Sequence, residues 1–165
     1  VERKVTLSVR QACEGGELRL AELGGQIKLP QGAFEGQKLR LAGKGEAGAG
    51  GRGDLILKLA ITTPPGFERR GPDLYMDVPV TPLQAFVGSA VEVPTPEGGL
   101  MQIKIPPRSQ GGRRLRIRGR GMPTDKSVRG DVFFQMQVRI PDGDDPQIEA
   151  LLTDLEVFFE AVEQA

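Results

Sequence analysis

The chain repeats itself, and that repeat limits its possible folds more than any other feature. QIKLP at 26–30 followed by EGQKLRLAGKG at 35–45 returns as QIKIP at 102–106 followed by GGRRLRIRGRG at 111–121, with a constant offset of 76. RGDLILKLAI at 52–61 returns as RGDVFFQMQVRI at 129–140 with an offset of 77, and VTLSVRQACEGGELRL at 5–20 as VPVTPLQAFVGSAVEV at 78–93 with an offset of 73. Three blocks recurring in one order imply two homologous modules. They are expected at 1–66 and 67–141, joined near TTPPGFERRGPD at 62–73, with a separate segment at 142–165.

Within each block apolar residues alternate with polar ones, the period of a half-buried strand. Leu39 and Leu41 alternate with Lys38 and Arg40, and Leu115 and Ile117 with Arg114, Arg116 and Arg118. Val5, Leu7 and Val9, Leu18 and Leu20, Ile27 and Leu29, and Leu55 through Ile61 do the same. The 23 glycines and 13 prolines fall between these runs, where they read as turns. The fold expected is mainly β: two tandem small antiparallel β-sandwich modules with little helix.

The last segment has a different period. After PDGDDP, Asp144 or Asp145 caps a helix with Pro146 in its first turn. Ile148, Leu151, Leu152, Leu155, Phe158, Phe159 and Val162 then follow the spacing of one helical face. Two readings of that face stand: packing on its own module, or contact with a second copy.

Composition removes most chemistry. Histidine is absent and Cys13 is the one cysteine, so histidine-based catalytic sets, cysteine zinc clusters and intrachain disulfides are excluded. Cys13 itself reads as a buried structural thiol. Gly48, Gly50 and Gly53 match a dinucleotide fingerprint, but they precede a strand where that motif requires a helix. Arg-Gly-Asp occurs at 52–54 and 129–131, the same place in both modules, which points to a turn entering the last strand. No enzyme, metal or cofactor is implied. No apolar run reaches membrane-spanning length and no signal-peptide pattern opens the chain, so a cytoplasmic location is expected.

From Arg108 to Arg120 six arginines occur with no acidic residue, a stretch capable of neutralising phosphates. Yet 22 Lys and Arg balance 22 Asp and Glu over the chain, and residues 142–165 hold eight carboxylates without a Lys or Arg. The first module's copy of the stretch keeps the leucine pair with fewer charges. The run is therefore first a strand with a basic solvent face, and a DNA contact through Arg114, Arg116 and Arg118 is the alternative.

The ordered set VGSAVEVPTPEGG, QGGRRLRIRGRGMP and RGDV resembles the C-terminal substrate-binding region of DnaJ-type co-chaperones, and the first module resembles the preceding module of that region. With no CxxCxGxG repeats between GELRLAELGG and QIKLP, the chain is similar to the zinc-free subclass, the curved-DNA-binding-protein-A type. The resemblance implies a shallow groove in the first module that binds extended apolar segments of unfolded polypeptides, lined by Val5, Leu7, Leu18, Leu20 and Leu57. It also implies a homodimer formed through the C-terminal end, where Leu151, Leu152, Leu155, Phe158 and Phe159 lie. The implied partner is a DnaK-type ATPase, reached mainly through a J-domain outside this sequence. Physically, an extended client adds hydrogen bonds at a sheet edge while alternate side chains enter a groove. The same leucines read equally well as sandwich core.

Overall fold

The computed structural model describes residues 2–20, 25–43, 47–48, 50–125 and 128–163, and their side chains except at 18–20, 25, 47, 52 and 160–163. The first module begins with β1 (Glu2–Leu7), α1 (Val9–Glu14), β2 (Gly16–Leu20) and β3 (Gly25–Leu29). It continues with β4 (Lys38–Leu41), the short β5 (Ala47–Gly48) and β6 (Gly51–Arg52), and β7 (Leu55–Ile61). In the second come β8 (Glu68–Arg70), β9 (Asp73–Val80), α2 (Pro82–Val87), β10 (Ser89–Pro94), β11 (Leu100–Ile105), β12 (Arg114–Ile117) and β13 (Val132–Val138). Helix α3 (Pro146–Glu163) follows.

The mainly β layout and the terminal helix match the expectation from sequence, and the two modules share one plan. Sheet β1-β7-β4 corresponds to β9-β13-β12, which gains β8 as a further strand on β9. Hairpin β2–β3 corresponds to β10–β11. Pairing inside the larger sheets departs from the all-antiparallel expectation. β1 runs parallel to β7 and β9 parallel to β13, while β4 and β12 join antiparallel. A period of two marks a strand's buried face but carries no strand direction, so alternation could not decide this.

Val9 also departs from expectation. The strand stops at Leu7 because Ser8 begins a capping box: its Oγ accepts the N–H of Gln11, and the Gln11 side chain accepts the N–H of Ser8. Val9 and Ala12 are then buried from a helix. Thr81 and Gln84 repeat the box in the second module, with Pro82 where a missing N–H is harmless.

The repeated RGD is explained by local geometry, as the turn reading anticipated. Asp54 accepts from Arg40 Nε and from the backbone N–H of Gly43; Asp131 accepts from Arg116 Nε and the N–H of Gly119. Each aspartate ties the start of the last strand to the turn after the Leu-Arg strand. Arg129 adds a staple, donating to the carbonyls of Gly121 and Arg120.

The larger sheets turn one apolar face inward. Leu55, Leu57, Leu59 and Ile61 on β7 are buried together with Val5, Leu7, Ile27 and Leu29. Val78, Val80, Val93, Ile103, Ile105, Val132, Phe134 and Met136 are buried in the second module. Phe67, from the linker, is buried with its ring centroid 6.2 Å from that of Phe134.

Candidate functional site

The parallel register of β1 and β7 sets Arg3 opposite Leu57, Val5 opposite Leu59 and Leu7 opposite Ile61, so Val5, Leu7 and Leu57 share one face. That face is core: Leu7 and Leu57 are 1% exposed and Val5 8%. Leu18 lies opposite Ile27 and Leu20 opposite Gly25 in hairpin β2–β3; the side chains of Leu18 and Leu20 lie outside the described residues. Among the described residues β1 is an edge strand, bonded to β7 on one side alone. An edge of this kind carries unused backbone donors and acceptors.

The basic strand β12 lies on the solvent face of the second sheet, where its arginines have partners within the chain. Cross-strand neighbours Phe133 and Tyr75 stack with centroids 4.9 Å apart and an interplanar angle of 14°. Arg116 lies 5.9 Å from the Phe133 centroid, and Arg70 and Arg114 lie 4.5 and 5.4 Å from that of Tyr75. Arg116 also pairs with Asp131, and Arg120 stands 3.8 Å from Glu97. Stacked guanidinium and ring faces cover one another's apolar surface and stabilise the sheet. The first module holds Lys38 and Glu2 there instead, 4.0 Å apart.

Cys13 belongs to α1 and is half-buried. It lines a 370 Å³ cavity with Gln31 and Gly32 from its own module and Pro123, Thr124, Val128 and Arg129 from the other. Burial raises its thiol pKa, and Arg129 opposes the rise. Among the described residues no cluster of His, Cys, Asp or Glu could hold a metal ion, and no helix is long and apolar enough to cross a membrane.

Helix α3 starts where Asp145 accepts the N–H of Gln147, which selects Asp145 from the two candidate caps. Its apolar residues remain largely in water: Leu151, Phe158 and Phe159 are more than half exposed, and Leu152 and Leu155 about two-fifths. The side chain of Val162 lies outside the described residues. Leu155, Phe158 and Phe159 form one wall of a 710 Å³ groove whose other wall is α2, through Pro82, Leu83, Ala85 and Phe86. Sequence reasoning missed the α2 wall. The signal was Thr-Pro-Leu-Gln-Ala-Phe-Val, a capping box followed by apolar residues at 83, 86 and 87 where α1 has Arg10, Cys13 and Glu14.

Two copies of one mixed-sheet plan thus precede an acidic helix whose apolar face is exposed. The sequence profile of the DnaJ C terminal domain matches residues 1–141, and the chain belongs to that family. It is 41% identical over 134 residues to a chaperone protein DnaJ of Dinoroseobacter shibae, covering 79% of this chain and 35% of that protein. To chaperone protein DnaJ 2 of Aquifex aeolicus it is 37% identical over 156 residues, covering 88% and 42%. The chain thus spans well under half the length of these relatives.

Proposed function

We propose that this chain is the client-binding and dimerising part of a co-chaperone, which holds extended apolar segments of unfolded polypeptides for a DnaK-type ATPase. The observation that carries the reading is the position of β1: an edge strand whose inward face is Val5 and Leu7. A client strand adds backbone hydrogen bonds along that edge, and its alternate apolar side chains reach Val5 and the rim of hairpin β2–β3, where Leu18 and Leu20 lie. Leu7 and Leu57 form the floor. The match to the DnaJ C terminal domain supports the same assignment.

The uncovered apolar face of α3 is the dimer contact, built from Leu151, Leu152, Leu155, Phe158 and Phe159. Two client sites on one dimer raise affinity through effective concentration without any new contact. The single cysteine supports the zinc-free subclass.

The two modules provide the control for the client site. Val78 in the second module corresponds to Val5 and is as well buried. Val5→Ser is expected to weaken binding of a fluorescently labelled, permanently unfolded polypeptide about tenfold, a change of about 1.4 kcal/mol, while Val78→Ser leaves it near the parent value. Equal affinities for the two variants would reject the β1 site.

A further inference from the structure

We infer that the α2 groove, with Arg108 at its edge, is the receptor for helix α3 of a second copy, so that each copy's acidic helix is gripped by the other's second module. This rests on the dimer reading above and adds to it a surface outside the helix.

The backbone of Arg108 supplies the first argument. It has φ +56°, and it is the one non-glycine residue with positive φ among those described. Its counterpart in the first module, at the repeat offset of 76, is Gly32 with φ +78°. Both loops do the same local work: Ala33 N–H donates to the Ala12 carbonyl, and Ser109 N–H to the Ala85 carbonyl, so each loop caps its helix. Arg108 N–H donates as well, to the carbonyl of Phe86. Glycine meets this conformation without strain, and an arginine meets it only at a cost. An outlier maintained where the sister module uses glycine points to a use for the side chain.

Charge supplies the second. Arg108 is the one charged residue lining the groove, and none of the ion pairs among the described residues involves it. Helix α2 carries no charge, whereas α3 and its lead-in carry carboxylates alone. Two α3 helices set only against each other would bring Glu149, Asp154 and Glu156 together with like charges. Neutral α2 and cationic Arg108 give an acidic apolar helix a complementary surface.

Area supplies the third. Leu83, Phe86, Leu155, Phe158 and Phe159 are 42–69% exposed. With Leu151, at roughly 100 Å² apiece, they leave on the order of 600 Å² of apolar side chain in water. That reaches the upper end of the largest patch on a monomer, about 600 Å². It approaches the roughly 800 Å² each partner contributes to a standard interface. A twofold axis makes the exchange reciprocal, with α3 of each copy seated between α2 and α3 of the other.

Sedimentation velocity on the whole chain tests this with three variants. Phe158→Ser with Phe159→Ser is expected to give monomers. Leu83→Ser with Phe86→Ser, exposed positions on a capped helix, is expected to raise the dimer Kd at least about tenfold. Arg108→Gly installs the residue of the sister module; it is expected to leave the thermal midpoint of the fold no lower, raise the dimer Kd several-fold and flatten its salt dependence. A monomeric parent chain, or a dimeric Phe158→Ser/Phe159→Ser variant, would overturn the dimer reading and this inference together. A parent dimer lost in the Phe158→Ser/Phe159→Ser variant but unchanged by Leu83→Ser/Phe86→Ser and by Arg108→Gly would overturn only the α2 receptor. Loss of unfolded-client binding in Leu83→Ser/Phe86→Ser with the dimer intact would overturn it too, and assign the groove to clients.

Discussion

Asp131 accepts the Nε–H of Arg116 at 2.7 Å while its second oxygen accepts the backbone N–H of Gly119 at 3.0 Å. Asp54 does the same for Arg40 and Gly43, so one carboxylate in each module locks a turn to a strand.

Both carboxylates sit below their ordinary pKa of 3.8: Asp131 chiefly through the Gly119 N–H and then Arg116, Asp54 through Arg40 and then Gly43. A depressed folded-state pKa contributes stability that is present above the unfolded value and lost as pH falls through the folded one. Asp131→Asn is therefore expected to lower the thermal midpoint at neutral pH. The gap should begin to narrow as pH falls below about 4, the unfolded-state value, and close as pH falls through the lower folded-state one. Melting curves of both proteins across that range check it; a gap independent of pH would show that charge is not the cause.

The two RGD turns look alike in sequence and differ in what surrounds their glycine. A Cβ on Gly130 would stand 2.0 Å from the Pro72 carbonyl oxygen, whereas one on Gly53 would meet nothing within 4 Å. The Pro72 oxygen is fixed because it accepts the N–H of Met122. Gly130→Ala is expected to cost about 1–3 kcal/mol as an overpacked site. Gly53→Ala should stay within about 0.5 kcal/mol. Urea unfolding of the two variants checks the contrast, and equal losses would contradict the close approach of the linker.

How much of this was readable beforehand depends on the physical scale of each signal. The alternation and the helical spacing exposed the strands, their buried faces and the terminal helix, because each is a pattern over many residues. Helices α1 and α2 rest on four-residue capping boxes, too short to outweigh the surrounding alternation at Val9. Alternation marked Val5, Leu7 and Leu57 as inward, but it carries no information on what lies over them, and Leu7 and Leu57 prove to be covered. The arginine run looked like a phosphate grip because sequence hides Tyr75, Phe133 and Asp131, which occupy Arg114 and Arg116. Arg108 belonged to that run as one more positive charge; only its backbone conformation, set against Gly32, distinguishes it.

Cys13 gives the last prediction. It occupies the cavity between the modules, burial raises its pKa above the model-compound value of 9.0, and Arg129 offsets part of that rise. The thiolate is the reactive form, so a raised pKa and restricted access both slow alkylation at neutral pH. In the folded chain Cys13 is expected to react with iodoacetamide at pH 7.5 several-fold more slowly than in the chain unfolded in urea. Its folded-state rate should still be climbing where a free thiol has levelled off. By the same linkage the thiol's contribution to stability is fully present below the unfolded pKa and declines as pH rises through the folded one. Cys13→Ala removes the ionisable group, so the loss of stability between pH 8 and 10 should be shallower in that variant than in the parent chain. A folded-state rate matching the unfolded one at pH 7.5 would mean that the cavity opens freely to solvent, and that the modules do not hold the thiol between them.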